Sequence, residues 1–385
     1  MTRARGDWSR WLNGELAAIR DQGRWRAHRS FDALGPHGTL VVAGPDGPSE
    51  RDVLSFASND YLGLTAHPAV IAAAHDALDR WGTGAGASRL VTGDRPVHHD
   101  LEREIAAWKG TERAVLFPTG YAANLGVLTT LGGPDVRIAS DELNHASIID
   151  GTRLARADVS VYPHSDMREL GDLLSWASAQ PCLVVTDTVF SMDGHAANLR
   201  ALADRCRRFG ALLVLDEAHA VLGPDPEPGW FDGIEVVRVG TLSKALGSLG
   251  GFAACSERVA DLLVNAARSQ IFTTGSSPAD AAAGLAALRI VRSPEGDELR
   301  ARLRRHVDRL RPGHPSPIVP IVLGSEDDAV AASAALLERG LWVPAIRPPT
   351  VAPGSSRLRV TFSAAHTDDD VARLLDALAE IGALP

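Results

Sequence analysis

ALLVLDEAHAVLG, residues 211–223, opens on a short apolar run and ends in polar residues. An apolar run without alternation is what a parallel strand covered on both faces requires. The stretches on either side repeat the pattern. LVVT (183–186) ends in DTVFSMDG, and EVVRVG (235–240) ends in TLSK. From Ser55 to about Leu285 such runs alternate with helical patterns, which predicts an α/β domain built on a mostly parallel sheet. Upstream, residues 1–50 read as an N-terminal amphipathic helix followed by a Gly/Pro-rich connection. Downstream, a long Ala/Leu/Arg-rich helical stretch leads through RPGHPSP (311–317) into PIVPIVL, a helix, LWVPAI, RLRVTFS and a last helix. The expected division is therefore residues 1–50, a large α/β domain over 51–290, and a smaller C-terminal α/β domain over 291–385.

At 385 residues and 45% hydrophobic content the chain can bury a large core. No run of eighteen apolar residues appears, and the start resembles a surface helix rather than a signal core, so a cytoplasmic, non-membrane protein is expected. The net charge of −9 argues against a nucleic-acid partner. Cys182, Cys206 and Cys255 lack CxxC spacing, so no disulfide framework and no metal site is expected. Of the 39 basic residues only Lys109 and Lys244 are lysines, which leaves two candidates for any chemistry needing a primary amine. Lys109 closes the helical pattern LEREIAAWKG, where a cation suits a helix C-terminus.

Two short motifs mislead. DEAH (216–219) matches a helicase box, but no Gly-Lys phosphate loop accompanies it. GTGAGA (82–87) resembles a dinucleotide loop, yet it follows a helical pattern instead of a strand.

Open α/β sheets bind ligands at the carboxyl ends of their strands, and three polar clusters fall there together: Ser191, Asp216 with His219, and Thr241 with Lys244. A carboxylate at a buried strand end can hold a pyridine nitrogen protonated, and a lysine nearby can form a Schiff base. Those are the two requirements of a pyridoxal 5'-phosphate (PLP) enzyme, with Asp216 and Lys244 in the two roles. His219 and Ser191 are candidate partners of the cofactor's ring hydroxyl. His145, in SDELNHASIID, is a candidate to lie on the ring face. FPTGYAANLGVL (117–128) supplies a strand end, a glycine and an apolar helix, so Gly120 and Tyr121 are the expected phosphate cradle, with Thr241 a second contact.

These residues fall in segments that resemble the α-oxoamine synthases nearly end to end. The matching stretches are FASNDYLGL (56–64), GTGAGASRLVTGDRPVHHDLE (82–102), FPTGYAAN (117–124), NHASIIDG (144–151), VFSMDG (189–194), LDEAHAVLG (215–223), TLSKALGSLGG (241–251) and IRPPTVAPGSSRLRVTFSAAH (346–366). The resemblance implies a PLP-dependent transferase of fold type I, homodimeric, with its active site at the subunit interface. It is nearest the branch that condenses L-alanine with a pimeloyl thioester, on coenzyme A or a carrier protein, to give 8-amino-7-oxononanoate, carbon dioxide and free thiol in biotin biosynthesis. It implies the cofactor roles already given, and adds Thr274 as a phosphate contact from the partner subunit. Asn59, His145, Thr350 and Arg359 are implied substrate contacts, as is Arg26 by spacing. Arg357 and Arg359 alternate with apolar residues, so in a strand both face one side, and a guanidinium there can grip a carboxylate.

Three positions depart from the family pattern: Asp187 where glutamate is usual, His195 where an acid is usual, and GSSPA after Thr274 in place of Pro-Pro. Glycine-using sisters, such as 2-amino-3-oxobutyrate CoA ligase or 5-aminolevulinate synthase, share the core chemistry, but AIRPPTVAPG favours the alanine-using branch. A non-catalytic scaffold would have no need of Lys244, Asp216 and His219 together.

Overall fold

The chain was analysed as a computed structural model that describes residues 7–44, 47–176 and 180–384. It opens with α1 (Trp8–Asp21), then β1 (Ser30–Ala33), β2 (His37–Gly44) and β3 (Gly47–Ser55). The Gly/Pro-rich connection expected before residue 50 is thus an antiparallel meander, β1 on β2 on β3. Gly35 and Gly47 take the positive φ that the hairpin ends need, and the stretches between pair.

The large domain follows as α2 (Pro68–Trp81), α3 (Pro96–Lys109), β4 (Arg113–Phe117), α4 (Gly120–Leu131), β5 (Arg137–Asp141), α5 (Ala146–Ala155), β6 (Asp158–Tyr162), α6 (Met167–Trp176), β7 (Cys182–Asp187), α7 (Leu199–Phe209), β8 (Leu212–Asp216), β9 (Val236–Thr241), β10 (Gly251–Cys255), α8 (Glu257–Ala266), α9 (Arg268–Ile271) and α10 (Pro278–Val291). Its seven strands run in the order β4-β10-β9-β8-β7-β5-β6. All neighbours are parallel except β10, which is antiparallel to both β4 and β9. Every residue of β7 and all but the first of β8 are buried, as non-alternating runs demand.

The C-terminal part contains α11 (Pro294–Leu310), β11 (Ile318–Gly324), α12 (Glu326–Glu338), β12 (Leu341–Trp342), β13 (Ala345–Ile346), β14 (Ser356–Thr361) and α13 (Asp368–Glu380). LWVPAI does not form one strand. Pro344 interrupts it, so β12 joins β3 in parallel while β13 pairs with β14. The N-terminal meander and the C-terminal part therefore share a sheet, β1-β2-β3-β12. Among the described residues no helix is long and apolar enough to cross a membrane. The three cysteines are buried and free.

Lys109 lies, as expected, at the end of α3 before a left-handed Gly110. It is not a solvated helix-end cation, however. Its ammonium is buried and sits 2.7 Å from Glu217, whose other oxygen accepts from Arg238 Nε at 2.6 Å. Burial pushes the Lys109 amine below its ordinary range, opposed by the Glu217 carboxylate.

Candidate active site

Adjacent side chains of an extended strand project to opposite faces, and the end of β8 uses both. Asp216 meets Asn124 of α4, whose Nδ2 donates to Oδ2 at 2.6 Å, and Ala218 N donates to Oδ1 at 2.9 Å. Glu217 turns to the other side, toward Lys109. His219, two residues on, is buried between Tyr61 and Lys244: Nδ1 is 2.5 Å from the Tyr61 hydroxyl and Nε2 is 2.8 Å from Lys244 Nζ. Tyr61 O–H donates to Asn59 Oδ1 at 3.1 Å, which fixes the tautomer. Nδ1 carries the proton and donates to Tyr61, leaving the Nε2 lone pair for Lys244.

Burial holds the Lys244 amine below its ordinary range, while Asp216 and Asp187 pull the other way. His219 is pushed well below the usual imidazole range, first by burial and then by the positive charges of Lys244 and Arg359. A neutral imidazole beside an amine with lowered proton affinity gives a lysine fit to act as nucleophile and base.

His145 caps α5 and keeps its ring at the site through Nδ1, 2.8 Å from Ser147 Oγ. Its main-chain N–H donates to Asp187 Oδ2 at 2.7 Å. Asp187 pairs in register with Asp216, and burial followed by the Asp216 charge pushes its carboxyl well above the carboxylate range. The shorter acid at 187 therefore still serves a built contact, the His145 backbone.

Gly120 opens α4, whose cap is the Thr119 side chain accepting from Ala122 N. The first-turn N–H groups of any helix lack intrahelical partners, so those of Gly120 and Tyr121 are offered outward. A Cβ at Gly120 would come within 3.2 Å of the Thr241 side chain, which brings helix start and strand end together. The Tyr121 ring is exposed and its hydroxyl donates to Asp150.

Arg357 and Arg359 are not surface arginines. Both are buried on one face of β14, Arg357 paired with Asp193 and Arg359 donating from Nε to the Ser191 carbonyl at 2.7 Å, from Nη1 to Thr361 and from Nη2 to Asn59. Three of the five guanidinium N–H groups are thereby used, and two are left for a ligand. Ser191 contributes its carbonyl to Arg359, and its side chain is half-buried. Thr350 is exposed and lines a cleft of about 550 Å³ with Arg24, Leu143 and Asn144, next to His145. Within one chain the structure does not bring Thr274 or Arg26 to these residues. Thr274 is exposed on the loop after α9, and Arg26 lines a separate groove with His28 and Arg29.

Residues 51–378 match the aminotransferase class I and II family. The 8-amino-7-oxononanoate synthase of Anaeromyxobacter dehalogenans is 48% identical over 96% of this chain and 95% of its own length. The chain belongs to the 8-amino-7-oxononanoate synthases, within that family. Among solved structures, serine palmitoyltransferase from S. paucimobilis with PLP and myriocin bound superposes with a TM-score of 0.87 at 28% identity, covering 98% of this chain and all of that one. The crystal structure of 8-amino-7-oxononanoate synthase from Francisella tularensis gives 0.71 at 26%, covering 85% and 97%.

For a member of this family, Tyr61 and Asn124 are the site residues that sequence reasoning passed over. Tyr61 stands inside FASNDYLGL two residues after Asn59, so the resembling segment held the signal. Asn124 stands inside FPTGYAAN, one helical turn beyond Gly120, facing the site as i+4 must.

Proposed function

We propose that this chain catalyses the PLP-dependent condensation of L-alanine with a pimeloyl thioester, giving 8-amino-7-oxononanoate, carbon dioxide and the free thiol, as a homodimer. The observation that carries this reading is the Lys244–His219–Tyr61–Asn59–Arg359 chain of contacts, in a family whose curated members bear that product in their name.

The residues fit the cofactor. Lys244 would hold it covalently, Asp216 would face its ring nitrogen, and His145 its ring face. His219 and Ser191 would face the ring hydroxyl. The first-turn amides of Gly120 and Tyr121, with Thr241 and the partner subunit's Thr274, would take the phosphate. Bound there, PLP supplies an electron sink for the substrate's α-carbon.

The chain's own groups then divide the remaining work. Arg359 offers its two free N–H groups to the amino-acid carboxylate, with Asn59 bracing the guanidinium. Burial lowers the proton affinity of the Lys244 amine, whose Nζ would take the substrate's α-proton. His145, which follows Asn144 of the Thr350 cleft in the chain, would polarise the thioester carbonyl oxygen. Arg24 lines that cleft and would face the acyl chain, with Arg26 a contact that the second subunit would have to complete.

Dimerisation is supported by α1, which buries none of its residues and leaves Trp8, Trp11, Leu12, Leu16 and Ile19 in solvent. Such an apolar stripe marks an interface. Product analysis by mass spectrometry, with alanine or glycine against a panel of acyl thioesters, tests the reading. Alanine with the pimeloyl thioester is expected to be the best pair, and a preference for glycine with acetyl-CoA would refute it.

A further inference from the structure

Behind the active site lies a second cavity whose charges the reaction does not use. It encloses about 360 Å³, inside the range of small-molecule sites, on the face of the sheet toward which Glu217 turns. Of the cofactor residues named above only Thr241 reaches its edge. Trp108, Phe252, Leu62 and Leu246 supply apolar walls, and Lys109 and Glu217 stand among them. Both charged side chains are more than nine-tenths buried. The Lys109 ammonium lies over the Trp108 ring at 3.5 Å and 2.7 Å from Glu217 Oε2, off the direction of a hydrogen bond, so among the described residues it donates none. Glu217 is shared with Arg238, so two buried cations face one buried anion. Asp225, the other acid of the lining, is exposed, and Arg292 and Arg300 are engaged by Glu104 and Asp297. The buried set thus carries one positive charge in excess. Since Glu217 Oε2 is closed off, the ammonium is what a molecule in the cavity meets.

We propose that this cavity binds a small molecule with a carboxylate head, held by Lys109, and an apolar body. A buried cation in excess is costly by itself, and an anion placed against its unspent N–H groups offsets that cost through charge-assisted hydrogen bonds. One ammonium matches one carboxylate, whereas phosphate sites gather several N–H donors at a helix start. The walls decide the rest of the ligand. An aliphatic or aromatic body would cover the faces of Trp108, Phe252 and Leu246, while a bare inorganic ion would leave them unpaired. Position gives the site its interest. Ala245, next in the chain to Lys244, lines the cavity, as do Ala218 and Ala220 on either side of His219. A body lodged there packs against the segments that carry the Lys244–His219 contact without entering the active site.

Isothermal titration calorimetry of the holoenzyme with octanoate tests this, with octanol as the uncharged counterpart and Lys109→Met and Val221→Phe as variants. Octanoate is expected to bind the parent, and to bind Lys109→Met about tenfold or more weakly. That variant keeps the neutral Glu217–Arg238 pair and should fold. Octanol should bind parent and Lys109→Met alike. Val221→Phe adds bulk to the cavity lining without changing a charge and should lose both ligands. Saturating alanine should leave octanoate binding unchanged. Failure of octanoate to bind the parent, or equal affinity for parent and Lys109→Met, would overturn the proposal. Displacement by alanine would place octanoate in the active site, and tighter binding of inorganic phosphate would make the cavity an ion site; either result overturns it too. If circular dichroism shows that Lys109→Met does not fold, Val221→Phe decides alone: octanoate binding retained there overturns the proposal, and its loss supports it.

Discussion

Tyr61 stands 158 residues from His219, yet its hydroxyl decides which nitrogen of that imidazole carries a proton. Because Tyr61 O–H is spent on Asn59, the phenol oxygen accepts from Nδ1, and Nε2 is left to the lysine. Burial raises the Tyr61 phenol above its ordinary range, so it stays protonated at any working pH. Tyr61→Phe should fold but leave Nδ1–H buried and unpaired, at a cost of about 1–3 kcal/mol. Cofactor titration by absorbance should show weaker retention, and unchanged affinity would mean that the hydroxyl does not set the tautomer. Arg359 is a parallel case. Its fork geometry satisfies three protein acceptors and still has two N–H groups to spare, which an ammonium with three donors cannot reproduce. Arg359→Lys is expected to raise the alanine KM by about tenfold or more and leave the acyl-thioester KM nearly unchanged. A change confined to the thioester would move the carboxylate contact elsewhere.

Elements meet beneath the site through a second set of charges. Arg238 of β9 donates both to Glu217 and to the Lys109 carbonyl that ends α3, while the Lys109 ammonium lies over the Trp108 ring at 3.5 Å. One buried carboxylate thus joins two strands to a helix. Glu217→Gln would leave two buried cations without their anion and should lose about 3–5 kcal/mol in urea unfolding. Adding Lys109→Met to it should recover part of that loss, since one of the stranded charges is removed. If the single variant unfolds like the parent, the network is not a fastener. None of it was legible in the sequence, where Lys109 read as an ordinary helix-end cation and Glu217 had no assigned role. Ion pairing across 108 positions depends on which strand face Glu217 takes, and that follows from the sheet rather than from local pattern. By contrast, β7 and β8 were legible because burial on both faces writes itself into four consecutive apolar residues.

The join between the meander, the large domain and the C-terminal part is sensitive to acid. His366 stacks on Phe56 at 4.2 Å, donates from Nε2 to the Ser55 carbonyl and accepts at Nδ1 from Ser363 N. A proton on Nδ1 would oppose that N–H, and burial pushes the imidazole down to about 4 from its ordinary 6.5. The unfolded chain takes up this proton near pH 6.5, while the folded chain refuses it until about pH 4. Stability is therefore full above that window and falls as pH drops through it, by about 3 kcal/mol. His306 and His314, also held down by burial, add in the same direction. Urea midpoints should decline between pH 7 and pH 4, less steeply in His366→Gln, and parallel profiles would assign the acid sensitivity to other groups.

Composition and periodicity were enough for the α/β class, the parallel strands, and Lys244, Asp216 and His219 at neighbouring strand ends, because strand ends of an open sheet converge wherever the helices go. The shared motifs supplied the branch of the family. Folding alone placed Tyr61 and Asn124 beside those residues, buried Arg357 and Arg359, split LWVPAI between two sheets, and set Arg24 rather than Arg26 in the cleft with Thr350. Each of these is a contact between segments far apart in sequence, whose meeting is fixed by how layers stack and not by the order of residues along either segment.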